Sequence, residues 1–260
     1  MNDKKTIDFR NKDLPIAVVL AAGKGTRMNS DLPKVLCPVL GRPILEYVLT
    51  ALRKSGLRRF LVVIGYQGKK IREAFADWPE VEFVEQTQQL GTGHAVMACE
   101  EKLQDHTGAV LVVTGDSPLL QADSIQTLFN HYDQSLAACV MGSLLKDDPS
   151  GLGRIVRDSK GEFTKIVEEK DATDDQKKIN EVNMSTYIFE GPKLLSSLKK
   201  LTNNNKQGEY YVTDCPGNLL AEGEKVEALA VLKPCEAMSI NTANDLLEVE
   251  LFIRSTQKKG

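Results

Sequence analysis

The sequence predicts a doubly wound α/β fold, a parallel sheet with helices on both faces. Short apolar runs at Ile16–Leu20, Phe60–Ile64 and 109–113 have strand length and no polar alternation, as strands buried on both faces do. Segments with helical spacing of apolar residues separate them, and such alternation marks parallel crossover units. The first run also ends in a glycine turn, and ligands of open sheets collect beyond the carboxyl ends of the strands.

Each element follows from local pattern. Residues 42–54 carry apolar side chains at helical spacing and stop at Ser55-Gly56. After the strand Phe60–Ile64 come a short helix at 71–75 and a third strand at 81–84. A helix over 92–103 leads into the fourth strand, 109–113. The second half is more mixed. A strand over 136–144 precedes a hairpin in which Arg154–Arg157 and Phe163–Val167 flank Ser159-Lys160-Gly161. A strand over 182–189 is followed by a helix from Pro192, and Asn203-Asn204-Asn205 marks a loop. Thr213-Asp214 ahead of Pro216 has the composition of a helix start. A late strand at 226–232 and a terminal helix at 243–253 complete the chain. With no repeat, low-complexity tract or linker, the expectation is one domain, 1–260, with a polar tail at 1–14 and a lobe at about 136–240.

Composition narrows the function classes. A chain of 260 residues buries roughly three quarters of its unfolded surface and needs no disulfides. Its 5 cysteines are scattered and never spaced C-x-x-C, which argues against a disulfide framework and a zinc site and fits a reducing compartment. The first fourteen residues lack the apolar stretch of a secretion signal, and no run approaches membrane-spanning length. A net charge of −3 offers no basis for non-specific nucleic-acid binding. The expectation is a cytoplasmic protein without membrane or nucleic-acid partners.

The stretch LAAGKGTRMNSDLPK, starting at Leu20, carries the chemistry. Gly23 and Gly25 have no Cβ, so the backbone there can approach a phosphate closely. Successive amide N–H groups in such a turn form an anion-binding concavity, to which Arg27 and Lys34 add positive charge. The dinucleotide fingerprint would need glycine at Met28, and the Walker A spacing is absent. A triphosphate site of another kind is implied.

Several blocks stand in an order that resembles one family: LAAGKGTRM and LPK, EQTQQLGTGHA, GDSPLL, GLGRIVRD, IVEEKDAT, EVN, LTNNNKQGEYYVTD and SIN. From about Ile16 to Asn241 the chain is similar to the uridyltransferase domain of bacterial bifunctional N-acetylglucosamine-1-phosphate uridyltransferase/glucosamine-1-phosphate acetyltransferases, which are sugar-phosphate nucleotidyltransferases. The resemblance implies a Rossmann-like nucleotidyltransferase fold with a mixed, mostly parallel sheet. It implies the reaction of UTP with a sugar 1-phosphate, foremost N-acetylglucosamine 1-phosphate, to give UDP-sugar and pyrophosphate. It also makes the lobe at about 136–240 the sugar side.

Residue by residue, the resemblance assigns Leu20, Ala21, Ala22, Gly23 and Lys24 to the nucleotide, and Gln86 with Gly91-Thr92 to the uracil. Because a glutamine amide can rotate, Gln86 alone cannot reject cytosine, and fixed neighbours must help. Gly153, Glu168 and Asn183 become sugar contacts, joined by Thr213 and by Tyr211, which equally suits packing of its loop. Asp116 would hold Mg2+ and Asn241 would be the second ligand through its amide oxygen; capping the next helix is the alternative for each. Arg27 would steady the departing pyrophosphate and Lys34 the charge at the α-phosphate. His94, His106 and His131 match no nucleophile–base arrangement, and His94 reads as a helix-packing residue.

The departures concern the acceptor. Thr114 stands before Gly115-Asp116 where the family often has Tyr, Met184-Ser185 follows Asn183 in place of Thr-Gly, and Leu152 replaces an aromatic residue. Another hexose 1-phosphate therefore stays open, as does a non-catalytic sugar-nucleotide-binding protein. A nicotinamide oxidoreductase is disfavoured by the missing third glycine. No hexapeptide repeat is present, so the acetyltransferase activity and the trimer its β-helix builds are expected to be absent.

Overall fold

The computed structural model describes residues 14–25, 28 and 30–257. In chain order the elements are β1 (Ile16–Leu20), β2 (Pro38–Val39), β3 (Arg42–Pro43), α1 (Ile44–Lys54), β4 (Phe60–Ile64), α2 (Gly68–Ala74) and β5 (Val81–Glu85). Then come α3 (Thr92–Met97), α4 (Glu100–Leu103), β6 (Ala109–Thr114), α5 (Ala122–Ser135) and β7 (Cys139–Leu145). The second half adds β8 (Arg154–Arg157), β9 (Phe163–Val167), α6 (Asp174–Lys177), β10 (Glu181–Glu190), α7 (Gly191–Leu198), α8 (Cys215–Ala221), β11 (Val226–Leu229) and α9 (Ala243–Gln257).

The main sheet runs in the order β11-β7-β10-β6-β1-β4-β5, with β8 and β9 attached beside β10. β1 pairs in parallel with both β4 and β6, so its ends point the same way as theirs. Alternate side chains of β1 project to opposite faces. Ala17 and Val19 join one core with Leu45, Leu49 and Leu52 of α1 and Phe129 of α5, while Ile16 and Val18 join another with Val96 of α3 and Leu198 of α7. Burial on both faces explains why these strands read as unbroken apolar runs. A smaller cluster ties Val249 and Ile253 of α9 to Val39 and Ile44.

As the resemblance implies, the sheet is mixed and mostly parallel, with β10 antiparallel to both β6 and β7. The structure corrects several local expectations. The helix placed at 42–54 starts after Pro43, whose extended backbone serves β3. The helix placed at 92–103 divides at Ala98 and Cys99, where bonding tightens to Cys99 N–H onto the Val96 carbonyl at 2.9 Å. Leu136 is no strand residue: it caps α5 in a left-handed conformation and lies 91% exposed. The strand expected through 232 stops at Leu229.

Candidate active site

A cleft of about 270 Å³ opens at the carboxyl ends of β1, β5 and β6. The chain proceeds from β1 to β4 and β5 on one side and then crosses to β6 on the other, which makes this a topological switch point, where ligands of open sheets bind. Leu20, Ala21, Ala22 and Gly23 form its floor, held by Ala21 N–H on the Val63 carbonyl at 2.8 Å and Gly115 N–H on the Leu20 carbonyl at 2.9 Å.

Lys34 enters from the turn after Pro33. Gly25 makes room for it: φ is +60°, and a Cβ there would fall 2.5 Å from the Lys34 Cβ. The Lys34 ammonium forms an ion pair with Asp116 and donates to Asn241 Oδ1 at 3.1 Å. Helix capping explains neither partner. Gln121 stands at the N-cap of α5, and ahead of α9 it is Thr242 Oγ1 that accepts from Asp245 N–H at 3.2 Å, while Asp245 Oδ2 accepts from the Asn241 and Thr242 amides at 2.8 Å.

The Asp116 carboxylate and the Asn241 amide oxygen are hard donors, and they converge on a cation, the Lys34 ammonium. Among the described residues no group of three or more His, Cys, Asp or Glu side chains could hold a metal. So small a donor set suits an ion that keeps its waters and shares substrate phosphates.

On the cleft's far wall, Gln86 is 3% exposed. Its Nε2 donates to the Gly91 carbonyl at 3.1 Å and stands 3.0 Å from His94 Nδ1. The Gly91-Thr92 turn is stitched to residues 209–212: Gly93 N–H donates to the Tyr210 carbonyl at 2.7 Å, and Thr92 Oγ1 accepts from Val212 N–H at 3.1 Å.

The residues that the resemblance assigns to the sugar gather at the same edge. Tyr187 pairs with Val112, so following β10 back toward its start leads past Thr114 and the mouth of β6. There Asn183 N–H donates to the Gly153 carbonyl at 2.8 Å, and Glu168 accepts from the Thr213 hydroxyl at 3.0 Å. A Cβ on Gly153 would stand 3.5 Å from the Asn183 Cβ and 3.6 Å from Glu168 Oε2, so the three residues form one cluster. Tyr211 packs its loop, its hydroxyl accepting from Gln207 Nε2 at 2.7 Å. Ser185 holds φ +49° with its amide donating to Asn183 Oδ1 at 3.3 Å, so serine adopts the left-handed conformation that glycine would take freely.

Burial pushes the Glu168 carboxyl up; the Thr213 hydrogen bond opposes this, and Asp214 and Asp171 add to it. With the folded value above the unfolded one, its contribution to stability is full below the unfolded value and is lost as pH rises through the folded one. Near neutral pH the ionised form costs stability. Glu168→Gln should therefore raise Tm at neutral pH, with the gain vanishing in acid. The same variant should raise KM for the sugar phosphate. Thermal scans at two pH values and steady-state kinetics check both.

The MobA-like NTP transferase domain model matches residues 17–208. The chain belongs to this family of NTP transferases. Curated relatives include the "Bifunctional protein GlmU" of Geotalea daltonii, 40% identical over 238 residues (92% of this chain, 52% of the relative). That of Limosilactobacillus fermentum is 44% identical over 230 residues (88% and 50%). The chain thus spans about half the length of the curated relatives it matches. A crystal structure of UDP-glucose pyrophosphorylase complexed with UDP-glucose superposes with a TM-score of 0.75 at 16% identity, covering 94% of this chain and 99% of that one, which shows the fold.

As for the other positions, Lys24 is exposed and outside the cleft lining, and Arg27 lies outside the described residues. Gln89, Thr114 and Glu209 line the cleft without having been singled out for it; the doubled glutamine beside the G-T-G turn was the available signal for the first. His131 pairs with Glu227 at 3.0 Å, and His106 Nε2 stands 3.2 Å from the Ala109 carbonyl, both away from the lining residues. Burial pushes the Cys99 and Cys215 thiols up to about 12, which suits packing and not nucleophilic attack. Among the described residues, no helix is long and apolar enough to cross a membrane.

Proposed function

We propose that this chain transfers a uridylyl group from UTP to a sugar 1-phosphate, foremost N-acetylglucosamine 1-phosphate, releasing pyrophosphate in the cytoplasm. The observation that carries the reading is the convergence of Lys34, Asp116 and Asn241 at the mouth of a cleft floored by Leu20–Gly23. A phosphate monoester loses its second proton near pH ~6, so the attacking oxygen is already bare and general-base help has little to remove. The obstacle is anion meeting anion, which at ~4 Å costs about 4 kcal/mol per pair of unit charges at an effective dielectric near 20.

The residues answer that obstacle with charge and alignment. Lys34 reaches the strand ends where the α-phosphate would lie and offsets charge there, and Arg27 is assigned to the departing pyrophosphate. Gln86 and the Gly91-Thr92 turn hold the base, while Gly153, Glu168, Asn183 and Thr213 orient the sugar for in-line attack. Asp116 and Asn241 would hold Mg2+, which when bound supplies positive charge to the phosphate oxygens of both substrates. The test is a pyrophosphate-release screen of four nucleoside triphosphates against a panel of sugar 1-phosphates, with and without Mg2+. Turnover is expected with UTP and N-acetylglucosamine 1-phosphate only when Mg2+ is present. Binding of UDP-sugar without release from any pair would refute the catalytic reading.

A second reading, another hexose 1-phosphate as acceptor, is favoured by Met184 and Leu152. Both are partly buried side chains packed against the core beside the sugar-side cluster. Preference for a different sugar in the same screen selects it.

A further inference from the structure

We propose that His94 is a positioning residue for base selection, locking the Gln86 amide so that the site takes UTP and refuses CTP. The inference rests on the reading above that Gln86 meets the base. The amide's orientation follows from its partners. The Gly91 carbonyl can only accept, so the Gln86 atom 3.1 Å away is the amide nitrogen. That nitrogen's other hydrogen points to His94 Nδ1 at 3.0 Å, so Nδ1 accepts and the ring carries its proton on Nε2.

With both hydrogens engaged inside the protein, Oε1 is the amide's remaining group for a ligand in the cleft that Gln86 lines. The backbone cannot swing it away, because Gln86 N–H donates to the Ile64 carbonyl at 2.8 Å. An oxygen fixed there pairs with the N3–H of uracil. The N3 of cytosine is itself an acceptor, and two acceptors would face each other. The freedom to rotate that would spoil discrimination by a lone glutamine is thus removed.

His94 does this from behind the cleft. It lies in a second cavity with Leu90, Met97, Leu198 and Leu201, its ring 6.4 Å from that of Tyr210 and tilted by 33°. The other ionisable groups lining that cavity are Tyr210, Glu100 of α4 and Lys199 after α7, the last two paired at 3.6 Å.

The experiment compares kcat/KM for UTP and CTP, by pyrophosphate release, in the unmodified protein and in Gln86→Ala, His94→Leu and His94→Asn. Losing one orienting hydrogen bond should cut the UTP-to-CTP ratio about tenfold in His94→Leu. His94→Asn, whose Oδ1 falls near the place of Nδ1, should restore most of the ratio. If Gln86→Ala keeps the ratio, the base-reading role of Gln86 fails and the proposal with it. If Gln86→Ala collapses the ratio but His94→Leu preserves it, or slows both nucleotides equally, His94 is only a packing residue and the proposal is overturned.

Discussion

Asp116→Asn is expected to slow pyrophosphate release by at least about 100-fold, the scale seen when one electrostatic partner of a transition state is removed. The substitution keeps the size of the side chain and removes its charge. The Lys34 ammonium then loses the carboxylate that holds it, with only the Asn241 amide oxygen, at 3.1 Å, left from that pair. Because Asp116 belongs to the loop after β6 and not to the core, the protein should still fold. A circular dichroism spectrum and Tm close to those of the unmodified protein, beside a collapsed kcat, would show that the loss is chemical. Full turnover would remove Asp116 from the mechanism. Lys34→Ala should likewise lower kcat more than it raises KM for UTP if, as proposed, its charge acts at the reacting phosphate.

Gly91→Val is the second large effect, and it acts through the backbone. Gly91 sits at φ 108° and ψ 176°, a region that only glycine occupies comfortably. A Cβ there would fall 2.5 Å from the Tyr210 carbonyl oxygen and 2.8 Å from the Glu209 Cβ. Strain of ~2–3 kcal/mol should lower Tm by about 4–12 °C in a chain of this length. The Gln86 contact to the Gly91 carbonyl should go with it, so KM for UTP should rise as well. Gly217 is the control. Nothing lies within 4 Å of a Cβ built on it in α8, and Gly217→Ala should leave Tm unchanged or raise it slightly. Equal Tm values for Gly91→Val and Gly217→Ala would contradict the strain argument.

How much of this was written in the sequence depends on how local each feature is. The runs that became β1, β4 and β6 declared themselves because burial on both faces leaves no polar position. The Gly23–Gly25 turn declared the nucleotide floor for the same reason: its chemistry lies within a few residues. Strand direction does not show in a two-residue period, so a mixed sheet was expected only through the resemblance, and nothing local marked β10 as the strand that reverses. Leu136 looked like the start of a strand because composition does not report that a helix end needs a left-handed cap. At the site, Lys34 and Asn241 are 207 residues apart and meet only through the fold. His94 reads as packing in the sequence because it matches no nucleophile–base arrangement, and only its distance to Gln86 reveals a further contact.

The reversed strand also divides the labour of the site. On the proposed function, the nucleotide would be met by the ends of β1, β5 and β6, which lie on one side of β10 in the sheet. The acceptor would be met by the start of β10 and by the β8–β9 hairpin, joined through the pairing of Val182 with Arg154. These two sets of residues hang from separate stretches of chain that meet along the seam between β6 and β10 and where the Gly91-Thr92 turn bonds residues 210–212. On that reading, drift in the hairpin would retune which sugar is welcomed while the strand ends on the triphosphate side stay untouched.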